Sequence, residues 1–182
     1  SAVSRTDIVE GWRPHRAAGG VIIDVASGET LVEGLAMPHS PRFDETGALW
    51  LCESGRGRLL VRRDGAAEPE ELAFCPGFLR GLAFAGNHVV TTLSKPRDGS
   101  FSGLPLSEAL AARGAEAWCG VVVVDRRSGD MVEWLRIEGD ITELFDVAVL
   151  PGVQCPMSAA VDGPEARSLL TYDADWGPLS PG

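Results

Sequence analysis

Short apolar runs separated by turn-forming polar clusters dominate the chain, and the runs are too brief and too β-branched for helices. Residues 20–25 (GVIIDV), 49–52 (LWLC), 59–62 (LLVR), 88–93 (HVVTTL), 120–125 (GVVVVD) and 145–150 (FDVAVL) are bounded by Gly, Pro, Asp or Ser and predict strands. Between them, residues 26–29 (ASGE), 44–47 (DETG), 64–65 (DG) and 127–130 (RSGD) predict hairpin turns. Only residues 105–113 (PLSEALAAR), opened by Pro and Ser and followed by Gly114, predict a helix, inside a long connection. After Pro151 the pattern weakens: 168–172 (SLLTY) has strand composition, but Asp162-Gly163-Pro164 and the Gly/Pro-rich end at 177–182 predict loop. The expected organisation is one all-β domain over residues 1–157 and a weakly structured tail over 158–182.

Internal repetition narrows the kind of β protein, because self-similar units of about 40 residues belong to propellers and solenoids. Residues 3–7 followed by 23–29 (IDVASGE) match Leu93-Ser94-Lys95 with Asp98 followed by 124–130 (VDRRSGD), in the same order. Ser40-Pro41-Arg42-Phe43 superposes on Gly81-Leu82-Ala83-Phe84 and on Asp146-Val147-Ala148-Val149. In that superposition His39, Arg80 and Phe145 share one position, Ser40, Gly81 and Asp146 the next, and Glu53 matches Ser94 at the end of the second strand. Four antiparallel strands per unit make a propeller blade. The expected fold is β-propeller-like: about three four-stranded blades, one near residues 34–72, one near 73–137 and another entered at Phe145. Since propellers close with four to eight blades and an open set leaves edges exposed, the chain is expected to belong to a larger ring of about six blades or to self-associate.

Charge removes whole classes of partner. With 16 Lys plus Arg against 26 Asp plus Glu the net charge is −10 and the pI about 4.7, which argues against nucleic-acid and anionic-membrane surfaces. No apolar run approaches a membrane span. The four cysteines, Cys52, Cys75, Cys119 and Cys155, form no CxxC pair, so structural zinc is not expected and reduced, buried thiols are. The chain begins Ser1-Ala2-Val3 with no signal-peptide pattern, the start of a processed or partial chain, and the expected compartment is the cytoplasm.

Six motifs in order carry a resemblance: 37–42 (MPHSPR), 53–57 (ESGRG), 75–84 (CPGFLRGLAF), 94–97 (SKPR), 118–120 (WCG) and 143–153 (ELFDVAVLPGV). Together they resemble a bacterial family of conserved hypothetical proteins of unknown function, some attached to tetratricopeptide repeats. The resemblance spans roughly residues 2–157 and implies further propeller-like sequence ahead of Ser1, including a His-Leu-Asn-Gly-Leu-Ala-like segment. Separately, Gly34-Leu35, Pro41, Phe43, Gly47, Leu49-Trp50 and Ser54-Gly55 are similar to the strand pattern of gluconolactonase and strictosidine-synthase-like propellers, an analogy of fold.

Polar residues at the ends of a propeller's inner strands face whatever binds at the axis, which selects His39, Arg80, Asp146, Glu53, Ser94 and Lys95 as candidate ligand contacts. Arg80 suits a carboxylate or phosphate, and His39 a proton. Glu53 and Asp146 suit a hard divalent cation such as calcium or manganese. The structural alternative pairs Arg80 with Asp146, hydrogen-bonds His39 to a backbone carbonyl and leaves Lys95 and Arg97 in a solvated turn. Trp12, Trp118 and Trp134 read as packing residues, and 55–58 (GRGR) as a hairpin flank, since no helix follows to make a phosphate loop. No Gly-x-Ser-x-Gly elbow or Cys–His pair supports nucleophilic catalysis. Three functional classes stand as expectations: a domain binding a small or peptidic ligand at its axial face, a metal-dependent hydrolase of the lactonase kind, or a protein-interaction scaffold.

Overall fold

A computed structural model describes residues 1–97 and 99–154, so Asp98, Cys155, the segment 168–172 and the tail at 158–182 lie outside the described residues. The chain divides into Ser1–Val149 and Leu150–Gly182; in the described part of the latter, the Val153 N–H donates to the Leu150 carbonyl at 3.3 Å.

Within Ser1–Val149 the strands form three antiparallel groups. Strands β1 (Gly20–Ile23) and β2 (Thr30–Leu35) make a hairpin, and Ala2 bridges Val21 on the far side of β1. A four-stranded sheet follows in chain order: β3 (Pro38–Phe43), β4 (Leu49–Glu53), β5 (Arg58–Arg62) and β6 (Glu70–Phe74). A second four-stranded sheet repeats it with β7 (Phe78–Ala85), β8 (His88–Ser94), β9 (Cys119–Asp125) and β10 (Met131–Ile137). The one α-helix among the described residues, α1 (Leu106–Ala112), lies in the β8–β9 connection, where Pro and Ser predict its start.

The two-residue period of β4 sets the layering. Every residue of Leu49–Glu53 is buried: Leu49 and Leu51 face Ile22, Val32 and Leu35 of the hairpin, while Trp50 and Cys52 face Val89, Val122 and Val124 of the second sheet. A strand covered on both sides reads as a continuous apolar run, and LWLC is one. At one end Leu106 and Leu110, spaced i, i+4 on α1, pack with Phe78 and Phe101.

The outer hairpins show the repeat in atomic detail. Asp24 Oδ1 accepts the Ala26 N–H at 2.8 Å, Asp125 Oδ1 accepts those of Arg127 and Ser128 at 2.9 Å, and Gly28 and Gly129 close the turns at φ 76° and 78°. Cys52, Cys75 and Cys119 are free and buried, as expected. Burial pushes the Cys52 and Cys75 thiols up to about 12, which makes them inert.

Three expectations are corrected. Residues 145–150 form no strand, because no strand among the described residues pairs with them; residues 146–147 pass beside Gly81 of β7. Trp134 does not pack: it lies on the edge strand β10 and is 63% exposed, whereas Trp118 is half-buried against the main core. The superposition of the first strands is off by one. In both sheets a β-bulge interrupts the first pair, between His39 and Arg42 and between Leu79 and Leu82, so the ladder equates Ser40-Pro41 with Arg80-Gly81. The second hairpin holds one residue more: β7 and β8 stay paired out to Ala85 and His88 around a two-residue turn, where β3 and β4 end at Phe43 and Leu49, and sequence matching cannot separate that residue from the strand.

Candidate functional site

The bulge in β7 aims Arg80. A bulge leaves backbone groups without ladder partners and turns a side chain away from the sheet normal. The two threonines of β8 supply those partners: Thr92 Oγ1 accepts the Gly81 N–H at 2.9 Å, and the Thr91 hydroxyl donates to the Gly81 carbonyl at 2.6 Å. In β3 the matching residue is Pro41, which has no N–H to satisfy. Gly81 also leaves room for the next segment, since a Cβ there would meet the Val147 nitrogen at 2.5 Å.

Arg80 faces a cleft of about 280 Å³ between the first residues of β7, the end of β8 and the connection after it. Its guanidinium carbon lies 4.6 Å from the Phe145 ring centre and 5.4 Å from that of Phe78, and one nitrogen is 3.5 Å from Glu143 Oε2. Arg80 and Glu143 are each 18% exposed on their side chains. None of the guanidinium N–H groups makes a hydrogen bond among the described residues, and Arg80 Nε is the one buried side-chain polar atom among them without a partner. Native structures leave few such groups, and each calls for an explanation.

Other cations surround it. Arg97 holds Glu143 with two hydrogen bonds of 2.5 and 2.9 Å, and Arg16 donates to the Ser102 carbonyl at 2.7 Å. Lys95, the chain's only lysine, lines the cleft half-buried, with no ion pair among the described residues. Four cations therefore meet one carboxylate in the described lining of a strongly acidic protein. Burial draws the Arg80 pKa below its ordinary value while Glu143 opposes that shift, and the group stays charged. Glu143 is lowered, first by the Arg97 hydrogen bonds against burial, and it stays ionised.

Glu143 is held in place by a clip absent from the sequence reading. The Leu144 N–H donates to Ser94 Oγ at 3.0 Å, the Ser94 hydroxyl to the Leu144 carbonyl at 3.2 Å, and the Lys95 N–H to the Thr142 carbonyl at 2.8 Å. Three candidates, Arg80, Ser94 and Lys95, thus come together, joined by Glu143, Phe101 and Arg16. Glu143 was visible only as the first residue of the motif at 143–153, with nothing local to mark its partner.

The remaining candidates go elsewhere. The expected Arg80–Asp146 pair does not form: Asp146 is exposed and 3.9 Å from Arg42, because Glu143 lies nearer the guanidinium. Glu53 is fully buried and saturated, accepting from the Ala36 N–H at 2.9 Å, from Arg58 Nε at 2.8 Å and from Arg56. The carboxylates of Glu53 and Asp146 are thus held by different partners, and no group of three or more His, Cys, Asp or Glu suited to a metal occurs among the described residues. His39 Nδ1 is 3.0 Å from both the Met37 carbonyl and Ser54 Oγ, and its ring meets Phe78 edge-on at 5.3 Å. Burial lowers its pKa, the Met37 carbonyl partly restores it and the Arg80 charge lowers it further, so the imidazole is neutral near pH 7.

Among the described residues, no helix is long and apolar enough to cross a membrane. A family model, Domain of unknown function (DUF4915), matches residues 1–159, and the chain belongs to that family. No curated protein matches the chain.

Proposed function

We propose that the protein is a β-propeller-type ligand-binding domain and that the Arg80 cleft takes a small anion at the axial face. The propeller reading draws support from two four-stranded sheets with one ladder and one bulge, packed face to face. The hairpin with Ala2 beside it resembles the outer part of a preceding unit, and residues 146–147 pass Gly81 much as Arg80 passes Ser40. On that reading the chain supplies about three blades of a larger ring, and β3 and β7 line its axis.

The single observation that carries the anion is Arg80 itself: a mostly buried guanidinium with no hydrogen bond among the described residues, facing a cleft whose lining holds Lys95. Charge-assisted bonds to an incoming anion would satisfy donors that the protein leaves idle. Titration calorimetry with acetate and with inorganic phosphate tests this on the parent, Arg80→Met and Lys95→Met. The expected result is saturable binding that Arg80→Met weakens roughly ten- to a hundredfold, the worth of one to two charged hydrogen bonds. Because Lys95 is the only side-chain amine, the bound anion should also protect it from an amine-reactive reagent, read by mass spectrometry. Neither anion binding, or binding unchanged in Arg80→Met, would overturn the proposal.

A further inference from the structure

The cleft has two unlike walls, and resting on the anion reading above, we infer that its ligand is an aromatic monocarboxylate of about one ring. Beside the cations the lining is apolar: the Phe78 ring, against the Arg80 guanidinium, stacks on Phe101 at 6.1 Å with 20° between their planes, the two residues are only 7% and 9% exposed, and Leu104 and Pro96 extend this wall. A bare inorganic ion has no use for such a wall, and water against it gains nothing. A ligand with an acidic head and a flat apolar body meets both kinds of lining at once, and an aromatic body adds ring contacts with what Phe101, Leu104 and Pro96 present to the cleft.

Size sets the scale. The cleft, about 280 Å³ and open to solvent, matches one ring with a short acidic arm. Charge selects the head. Glu143 is ionised, fixed by Arg97 and 3.5 Å from Arg80, so a second negative charge at Arg80 meets a carboxylate that cannot move away. A planar carboxylate takes the guanidinium fork with one charge, whereas a phosphate monoester brings nearly two at neutral pH.

The test compares phenylacetate, acetate and phenyl phosphate by calorimetry on the parent, Phe101→Ala and Leu104→Asn, each variant first checked by thermal unfolding. Phenylacetate is expected to bind at least tenfold more tightly than acetate and more tightly than phenyl phosphate. Phe101→Ala should reduce phenylacetate to the level of acetate on the same variant; Leu104→Asn, at the half-buried part of the wall, reads the same loss if Phe101→Ala does not fold. Acetate binding as tightly as phenylacetate, or a phenylacetate advantage that survives the wall variants, overturns the aromatic body and leaves the anion reading standing. Phenyl phosphate binding equally or better overturns the carboxylate head. No response to any of the three, with no protection of Lys95, removes both readings together.

Discussion

Glu53 and Ser94 hold the same place in their sheets: each ends a second strand and pairs with the first residue of the first strand, Pro38 or Phe78. In the first sheet that place carries a charge, and the chain turns back at once through a 3-10 turn, Ser54–Arg56, which brings Arg56 and Arg58 onto the Glu53 carboxylate. Both oxygens of the Glu53 carboxylate are thereby engaged. In the second sheet the place carries a neutral hydroxyl, and residues 95–118 leave the sheet, build α1 and return, with Ser94 clipping Leu144. The charges near it belong to other segments, and the Arg80 guanidinium makes no hydrogen bond among the described residues. One ladder thus supports a closed, self-neutralised end and an open, cationic one, and the difference lies in the length of the second connection.

Glu53→Gln should break that comparison most severely. Removing a buried charge from two guanidiniums costs about 3–5 kcal/mol by analogy with other broken buried pairs, measured by urea unfolding, while Ser94→Ala should cost about 1 kcal/mol. Equal losses at the two sites would show that they are not doing different work.

The far end, where both sheets are tied together, gives the next effect. Asp44 of the β3–β4 turn accepts from Trp50 Nε1 at 2.8 Å and meets Arg126 of the β9–β10 turn, whose guanidinium stands over the Trp50 and Phe84 rings at 5.4 and 5.1 Å. Burial raises the Asp44 pKa, but bonds from Thr46, Trp50 and the Thr46 and Ala48 amides outweigh it and hold the group well below the usual carboxylate range. With the folded value depressed, the stabilisation is complete above the unfolded value near 4 and is lost as pH falls below it. Asp44→Asn should cost roughly 1.5–3 kcal/mol at pH 7 and remove that part of the acid sensitivity, followed by urea unfolding between pH 7 and 3.

Arg80→Met should show the opposite balance: unfolding free energy within about 1 kcal/mol of the parent or higher, with anion binding weakened roughly ten- to a hundredfold, because residues kept for a site often cost stability. A loss of roughly 3 kcal/mol or more would make Arg80 a structural partner of Glu143 instead. The smallest effect belongs to His39. Its titration by NMR should have a midpoint below the ordinary value, moving upward in Arg80→Met as one lowering influence is removed. Since its folded pKa is depressed, its contribution to stability is present above about pH 6.5 and fades as the pH falls from there.

Much of this molecule was legible from local pattern. The apolar runs at 49–52, 59–62, 88–93 and 120–125 mark β4, β5, β8 and β9 to within one residue at each end. The Pro-Ser start fixes α1, and Asp24 and Asp125 fold their hairpins alike because the turn chemistry lies within five residues. The bulge was not legible: matching Ser40 to Gly81 by sequence hides that the ladder slips one residue inside each first strand. Nor was the run at 145–150, where strand composition meets no pairing partner among the described residues and forms no strand.

What the sequence determined by itself, then, was a mostly β chain of short hairpins with an acidic surface, since strand period, turn residues and net charge are properties of neighbours and of sums. The tertiary structure decided which charges are neutralised. Glu53 finds Arg56 and Arg58 a few residues away and is spent, whereas Arg80 meets Glu143 across more than sixty residues, and Lys95 meets no carboxylate among the described residues. A side chain's electrostatic partner is fixed by the packing of sheets and connections that are distant in the chain, and no local pattern records it.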